Sequence, residues 1–266
     1  MFVTAQQLEQ QMPDASRLLS DEPEMESSLH YMQLLLLVTC LEWLWRDRND
    51  FFLGANLTIY FSRQQLRNPD FRGPDFFLVK DTEKRPRNSW VVWQEDGRYP
   101  DLIIELLSES TAHVDRNLKK NLYQNRFRTP EYFWFLPENL EFVGFELVGN
   151  EYQEIVANAR GWRWSQVLGL YLGVEAGKLR YFTSEGDLVP TPEEAARVAQ
   201  QAAIEQEQRA TEAQQRATEA QQRATDAELL LEQERQRLRK AQCPDGQSQL
   251  LAQQLRSLGI DPESLT

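Results

Sequence analysis

Residues 100–111 read PDLIIELLSEST. The apolar run Leu102–Leu107 is nearly continuous, of strand length and bounded by Pro100 and by the serines that follow, which predicts a strand buried on both faces. One acid, Glu105, interrupts it. An unpaired carboxylate among large aliphatic groups is costly, so Glu105 needs a metal, a base or a shifted pKa to neutralise it. Pairing with a core Arg or Lys is the structural alternative. Ser110 and Thr111 then supply a cap for a helix expected over residues 112–126.

Upstream of this strand, PDFFLV (74–79) is short and apolar, and NLTIYF (56–61) is β-branched and aromatic, so both are expected to be strands. SWVVWQEDGRYP (89–100) supplies a further strand or an edge loop. From Glu24 to about Trp45, apolar residues at Leu29, Met32, Leu36, Leu37, Cys40, Leu41, Leu44 and Trp45 have helical spacing and predict a mostly buried helix. Ser27 or Ser28 caps it if it starts late. Downstream, EYFWFLP (131–137) is an aromatic strand, and residues 140–147 and 151–157 flank a Gly149-Asn150 turn as a hairpin. Two or three more short strands are expected before Pro190. The order of elements implies an α/β fold with a mixed β-sheet core flanked by helices, not an all-β barrel.

The bulky residues set the extent of that fold. All 7 Trp, 8 Tyr and 13 Phe precede Ser184, and beyond Pro190 the chain is dominated by Ala, Gln, Glu, Arg and Leu. A core needs bulky groups to exclude water. The expected organisation is therefore an N-terminal arm (1–23), a globular domain (24–190), a heptad-repeat helix (191–242) and a short helical segment (243–266). In the heptad region ATEAQQR, ATEAQQR and ATDAELL follow one another. Ala196, Ala203, Ala210, Ala217, Ala224, Leu231 and Leu238 share one seam position, and Ala199, Gln206, Ala213, Ala220, Ala227, Glu234 and Ala241 fall on the other. Such a seam allows close helix approach but buries little area per layer. A solvated single helix and association with a second copy or another protein both remain open. Gly246 is expected to break the helix, with a second one over Ser248–Leu258.

The formal net charge is −12; residues 1–190 hold 28 acids against 20 bases and residues 191–266 hold 13 against 9. Neither part is a bulk electrostatic binder of nucleic acid, although a local basic patch and a bound cation can still serve DNA. Lys84, Arg85 and Arg87, with Arg126 and Arg128, form the basic cluster; a solvated face is its simpler reading. Cys40 and Cys243 suggest neither a disulfide framework nor zinc spacing. His30 and His113 are too scattered for a zinc site and are taken as structural. No Gly-rich phosphate loop and no nucleophile motif is present, and Trp162 and Trp164 are taken as packing residues. No apolar run approaches the roughly 20 residues that cross a bilayer, and there is no signal-like start. The expected compartment is the cytoplasm.

Asp75 opens an apolar strand, where a purely structural carboxylate gains little. Asp115, Lys119 and Tyr123 are spaced by four, so they lie near one helix face; that spacing alone passes for a surface ion pair. The pieces GPDFFLV, PDLIIELLSEST and DRNLKKNLYQNRFRTPEYFWF together resemble the Uma-two family of restriction-endonuclease-like proteins, a cyanobacterial type within the PD-(D/E)XK nuclease superfamily. The resemblance implies that Asp75 and Glu105 are metal ligands, that Lys119 is the catalytic lysine and that Tyr123 is a supporting residue at the substrate. It also implies a helix-borne acid, Glu26 or Glu24, with Glu26 the better fit. The superfamily lysine two residues after the acid is Leu107 here, so Lys119 supplies it from the helix. The implied activity is a Mg²⁺-dependent endonuclease (Mn²⁺ substituting) that cuts DNA to a 5′-phosphate and a 3′-hydroxyl. Two carboxylates, a strand carbonyl and waters suit such an ion. The competing reading is a catalytically silent nuclease fold that acts as an interaction or oligomerisation module through its heptad helix.

Overall fold

The computed structural model describes residues 18–22, 27–62, 73–108, 112–242 and 244–262. Helix α1 (Ser28–Leu44) begins late because Ser27 is extended and its Oγ accepts the His30 N–H as an N-cap. A helix running on from Glu24 is therefore excluded at Ser27, and Glu24 and Glu26 themselves lie outside the described residues. Its inward face is His30, Gln33, Leu34, Leu37, Cys40 and Leu41. Leu29 and Met32, expected to be buried, are about half exposed, because only one side of the helix meets a sheet.

The first strand, β1 (Phe51–Ala55), was not anticipated. Gly54 disguises it: a Cβ there would stand 2.0 Å from the Phe77 ring, so the strand has to be bare at that point. The expected strand 56–61 shrinks to β2 (Ile59–Tyr60), which pairs in parallel with β4 (Trp90–Val91). Between them comes β3 (Phe76–Lys80), and after them β5 (Leu102–Leu106). Helix α2 (Ala112–Leu122) continues into a π-helical turn (Tyr123–Phe127), and β6 (Glu131–Leu136), β7 (Glu141–Val148) and β8 (Glu151–Glu154) follow. The expected cap residues Ser110 and Thr111 lie outside the described residues.

The main sheet runs β1-β3-β5-β6-β7-β8. Only the β5–β6 pair is parallel, since α2 carries the chain back across the sheet between them. A second, antiparallel sheet has the order β11-β10-β9, from β9 (Arg163–Ser165), β10 (Leu170–Glu175) and β11 (Lys178–Phe182). Gln33 of α1 closes the β11 edge with both amide atoms, donating to the Leu179 carbonyl and accepting its N–H.

Side-chain alternation splits the main sheet into two apolar layers. Phe76, Leu78, Leu102, Ile104, Leu106, Phe133 and Phe135 face α1 and the second sheet. Phe77, Val79, Ile103, Leu107, Tyr132 and Trp134 face the other way, onto Ile59, Trp90, Tyr123 and Phe127. Glu105 shares the parity of Ile103 and Leu107, so it enters this second layer. Trp162 packs as expected, stacked on Phe182 at 3.8 Å. The basic cluster is largely spent on structure. Arg85 and Arg87 both bind Glu95, Lys84 binds Glu42, and Arg128 donates to the Gly149 carbonyl.

Two compact units are present, Met1–Ala196 and Arg197–Thr266. Helix α3 (Pro192–Gln242) starts inside the first with a capping box. Thr191 Oγ1 accepts the Glu194 N–H at 3.1 Å and Glu194 accepts the Thr191 N–H at 2.8 Å. The Arg180 guanidinium grips the same Glu194 carboxylate with two bonds, at 3.1 and 2.7 Å. From residue 196 to 240 every side chain of α3 is exposed. Glu205–Arg209, Glu212–Arg216 and Glu219–Arg223 lie along it as i,i+4 pairs. Gly246 does not break the helix as expected: it lies inside α4 (Pro244–Ser257).

Candidate active site

Asp75 immediately precedes β3, and Glu105 is the penultimate residue of its antiparallel neighbour β5. Phe76 pairs with Ile104, and one further step along that register sets Asp75 beside Glu105 on the second-layer face. Asp75 is also tied to the strand itself, since its Oδ2 accepts the Leu106 N–H at 2.8 Å. Burial, and next the Glu105 carboxylate, push the Asp75 carboxyl well above the usual range, and Lys119 and the Leu106 N–H only partly offset this.

Glu105 is only 1% exposed, yet it has partners. Tyr123 donates its hydroxyl to Oε1 at 2.6 Å and Lys119 Nζ reaches Oε2 at 3.0 Å. Lys119 and Tyr123, four apart at the end of α2, thus both point at the sheet. The π turn helps here: its wider backbone keeps Tyr123 and Phe127 both buried, and it closes with the Arg128 N–H on the Tyr123 carbonyl. The tyrosine is fully buried. Desolvation, then the Glu105 charge and the bond to it, hold its hydroxyl protonated well above the ordinary range, so it stays a donor.

Of the residues singled out in the sequence, four therefore meet: Asp75, Glu105, Lys119 and Tyr123. Glu26 and Glu24 lie outside the described residues, as do the side chains of Asp115 and His113. The demand of Glu105 for a neutralising partner is met by Lys119, so its burial alone does not require a metal. Asp75 is the less matched acid, with one backbone donor and a like charge beside it. Among the described residues no group of three or more His, Cys, Asp or Glu could hold a metal ion. Two adjacent carboxylates against one lysine nevertheless fit a hard divalent cation, which needs only one or two protein carboxylates besides water and phosphate oxygens.

Four contacts around the site were not legible beforehand. His30 bonds the Leu107 carbonyl, Leu106 lends Asp75 its N–H, and Glu22 accepts the Gly73 N–H at 2.5 Å and the Thr58 hydroxyl at 2.8 Å just ahead of Pro74-Asp75. The one sequence signal for any of them was a histidine on the buried stripe of α1.

The described residues form a mixed sheet flanked by helices, with Asp75 and Glu105 side by side on adjacent strands and a lysine reaching Glu105 from the helix that follows. The chain belongs to the Uma2 family, whose model, described as "Putative restriction endonuclease", matches residues 7–181. Among solved structures it is similar to "a putative nuclease belonging to DUF820" from Anabaena variabilis. The two are 12% identical, with 63% of this chain and 91% of that chain covered and a TM-score of 0.41. No curated protein matches the chain. No helix among the described residues is long and apolar enough to cross a membrane.

Proposed function

We propose that this protein is a Mg²⁺-dependent endonuclease that hydrolyses DNA phosphodiester bonds, with Asp75 and Glu105 as the metal ligands. The observation that carries the reading is the pairing of these two carboxylates on adjacent strands, with Lys119 reaching the same spot from α2. Family membership supports the nuclease class. When bound, Mg²⁺ (or Mn²⁺) supplies polarisation of the phosphate and a lower pKa for an attacking water.

The chain's own residues do the rest. Tyr123 holds Glu105 by one carboxylate oxygen and leaves the other to Lys119. Lys119 offers an ammonium beside the carboxylates, where it can orient the nucleophilic water or balance charge that grows on the phosphate. Glu26, which precedes α1 in the chain, is kept as the further acid of the set that the resemblance implies. The test is Mn²⁺ binding and plasmid nicking by the purified chain, alongside Glu105→Gln. Wild type should do both and the variant neither. A wild-type protein that neither binds Mn²⁺ nor nicks DNA overturns the reading.

A second reading concerns the tail. Leu229, Leu230, Leu231 and Leu238 are each more than half exposed on α3, and Leu231 and Leu238 continue the alanine seam. That much unpartnered leucine favours association of α3 with a second copy. Light scattering of the full chain against residues 1–190 should show a larger assembly only for the full chain; equal states for the two refute it.

A further inference from the structure

We propose that His30 is a positioning residue for Glu105, holding the end of β5 to the first turn of α1; the inference rests on the metal-site reading above. His30 is 3% exposed, and its Nε2 lies 3.0 Å from the Leu107 carbonyl, a contact across 77 residues of chain. A carbonyl only accepts, so Nε2 carries the hydrogen. The other ring nitrogen, Nδ1, lies 2.8 Å from Ser27 Oγ. That oxygen already accepts the His30 backbone N–H at 3.3 Å, which leaves the serine hydrogen free to donate to Nδ1. One neutral tautomer therefore satisfies a continuous chain from the Ser27 hydroxyl through the ring to the Leu107 carbonyl.

The place where this chain ends gives it meaning. β5 stops at Leu106, and Leu107 is where the backbone leaves the sheet, two residues past Glu105. Leu106 directs its N–H to Asp75 and Leu107 directs its N–H to the Phe135 carbonyl at 2.8 Å. The Leu107 carbonyl, in a residue only 2% exposed, has the imidazole for a partner. Leu107 is thus gripped on one side by β6 and on the other by α1, and the direction of the strand end under Glu105 follows from both grips.

Mn²⁺ titration followed by the electron paramagnetic resonance of the free ion tests this on the full chain, with circular dichroism to verify folding. His30→Ala should weaken Mn²⁺ binding about tenfold or more, as loss of an outer-shell partner does, while His30→Gln, whose amide nitrogen reaches the same carbonyl, should stay within about threefold of wild type. Ser27→Ala, which frees the ring but spares the Leu107 bond, should fall between them and keeps the test open if His30→Ala does not fold. A merely structural histidine would lower the unfolding midpoint in His30→Ala and leave the Mn²⁺ affinity of the folded protein unchanged. That result, or His30→Gln binding as weakly as His30→Ala, or Ser27→Ala binding as wild type does, overturns the inference while the metal-site reading survives. Wild type without Mn²⁺ affinity overturns both.

Discussion

Replacing Lys119 by Met removes the ammonium and keeps most of the stem. The pair it breaks is 3.0 Å long, with the Glu105 side chain 1% exposed and that of Lys119 15%. At an effective dielectric constant of about 20 such a pair attracts by roughly 5 kcal/mol, most of which its desolvation cancels. What remains after the substitution is a buried carboxylate with one hydroxyl donor, and breaking a buried pair from one side typically costs 3–5 kcal/mol. Because Tyr123 still donates and Lys119 is not wholly enclosed, the lower end, about 3 kcal/mol, is expected. Urea unfolding without divalent metal, read by tryptophan fluorescence, is the assay. All 7 Trp precede Arg197, so the signal reports the first compact unit alone. With a slope of roughly 2–3 kcal/mol/M, the midpoint should fall by about 1 M. Adding Glu105→Gln removes the charge that Lys119 was there to balance, so the double variant should be more stable than the two single losses combined. A midpoint for Lys119→Met within about 0.2 M of wild type, or strict additivity in the double variant, would refute the view that this lysine holds Glu105.

Asp75 should give the apo protein a pH dependence of definite sign. Its carboxyl, raised by burial and by Glu105, binds a proton more tightly folded than unfolded, where its value is near 3.8. The stability from that proton is complete below the unfolded value and is lost as pH rises towards the folded one. The difference in thermal midpoint between wild type and Asp75→Asn should therefore move against wild type on going from pH 4 to pH 9, and a flat difference excludes the assignment. Metal uptake should also release protons, measured as a buffer-dependent heat in calorimetry. Far from the site, Glu131 accepts the Ser165 hydroxyl and the N–H groups of Gln166 and Val167, at 2.7 and 3.2 Å for the latter two. Glu131→Gln turns one acceptor into a donor facing a donor and should cost about 2 kcal/mol in the same urea assay; no change would mean that this clamp is not what holds the β9–β10 turn.

Glu105 was legible because an acid inside LIIELL is expensive by its surroundings alone. Asp75 became legible by position, and strand parity, had it been followed, would have set both acids on one face. Lys119 and Tyr123 needed the family likeness, since residues four apart on a helix do not say whether that face meets solvent or a sheet. What escaped depended on partners distant in the chain. β1 was hidden by Gly54, whose reason is the Phe77 ring on the next strand. The work of His30 is invisible without Leu107, 77 residues away. Gly246 was read by propensity as a breaker, but it lies inside the helix Pro244–Ser257, where a glycine costs only about 1 kcal/mol.

The locked first turn of α3 bears on how the tail becomes helical at all. Starting a helix in water carries a statistical penalty of order 10⁻³, or about 4 kcal/mol, and only later residues propagate it cheaply. Here Thr191, Glu194 and Arg180 hold that turn within the folded domain, so the start is already made when the alanine repeats arrive. The same repeats cut free as a peptide would have to nucleate unaided and would fray from the end that Arg180 now secures. The turn that Arg180 secures thus spares the 51-residue helix its nucleation step at that end, and loss of the guanidinium would loosen the first turn of α3.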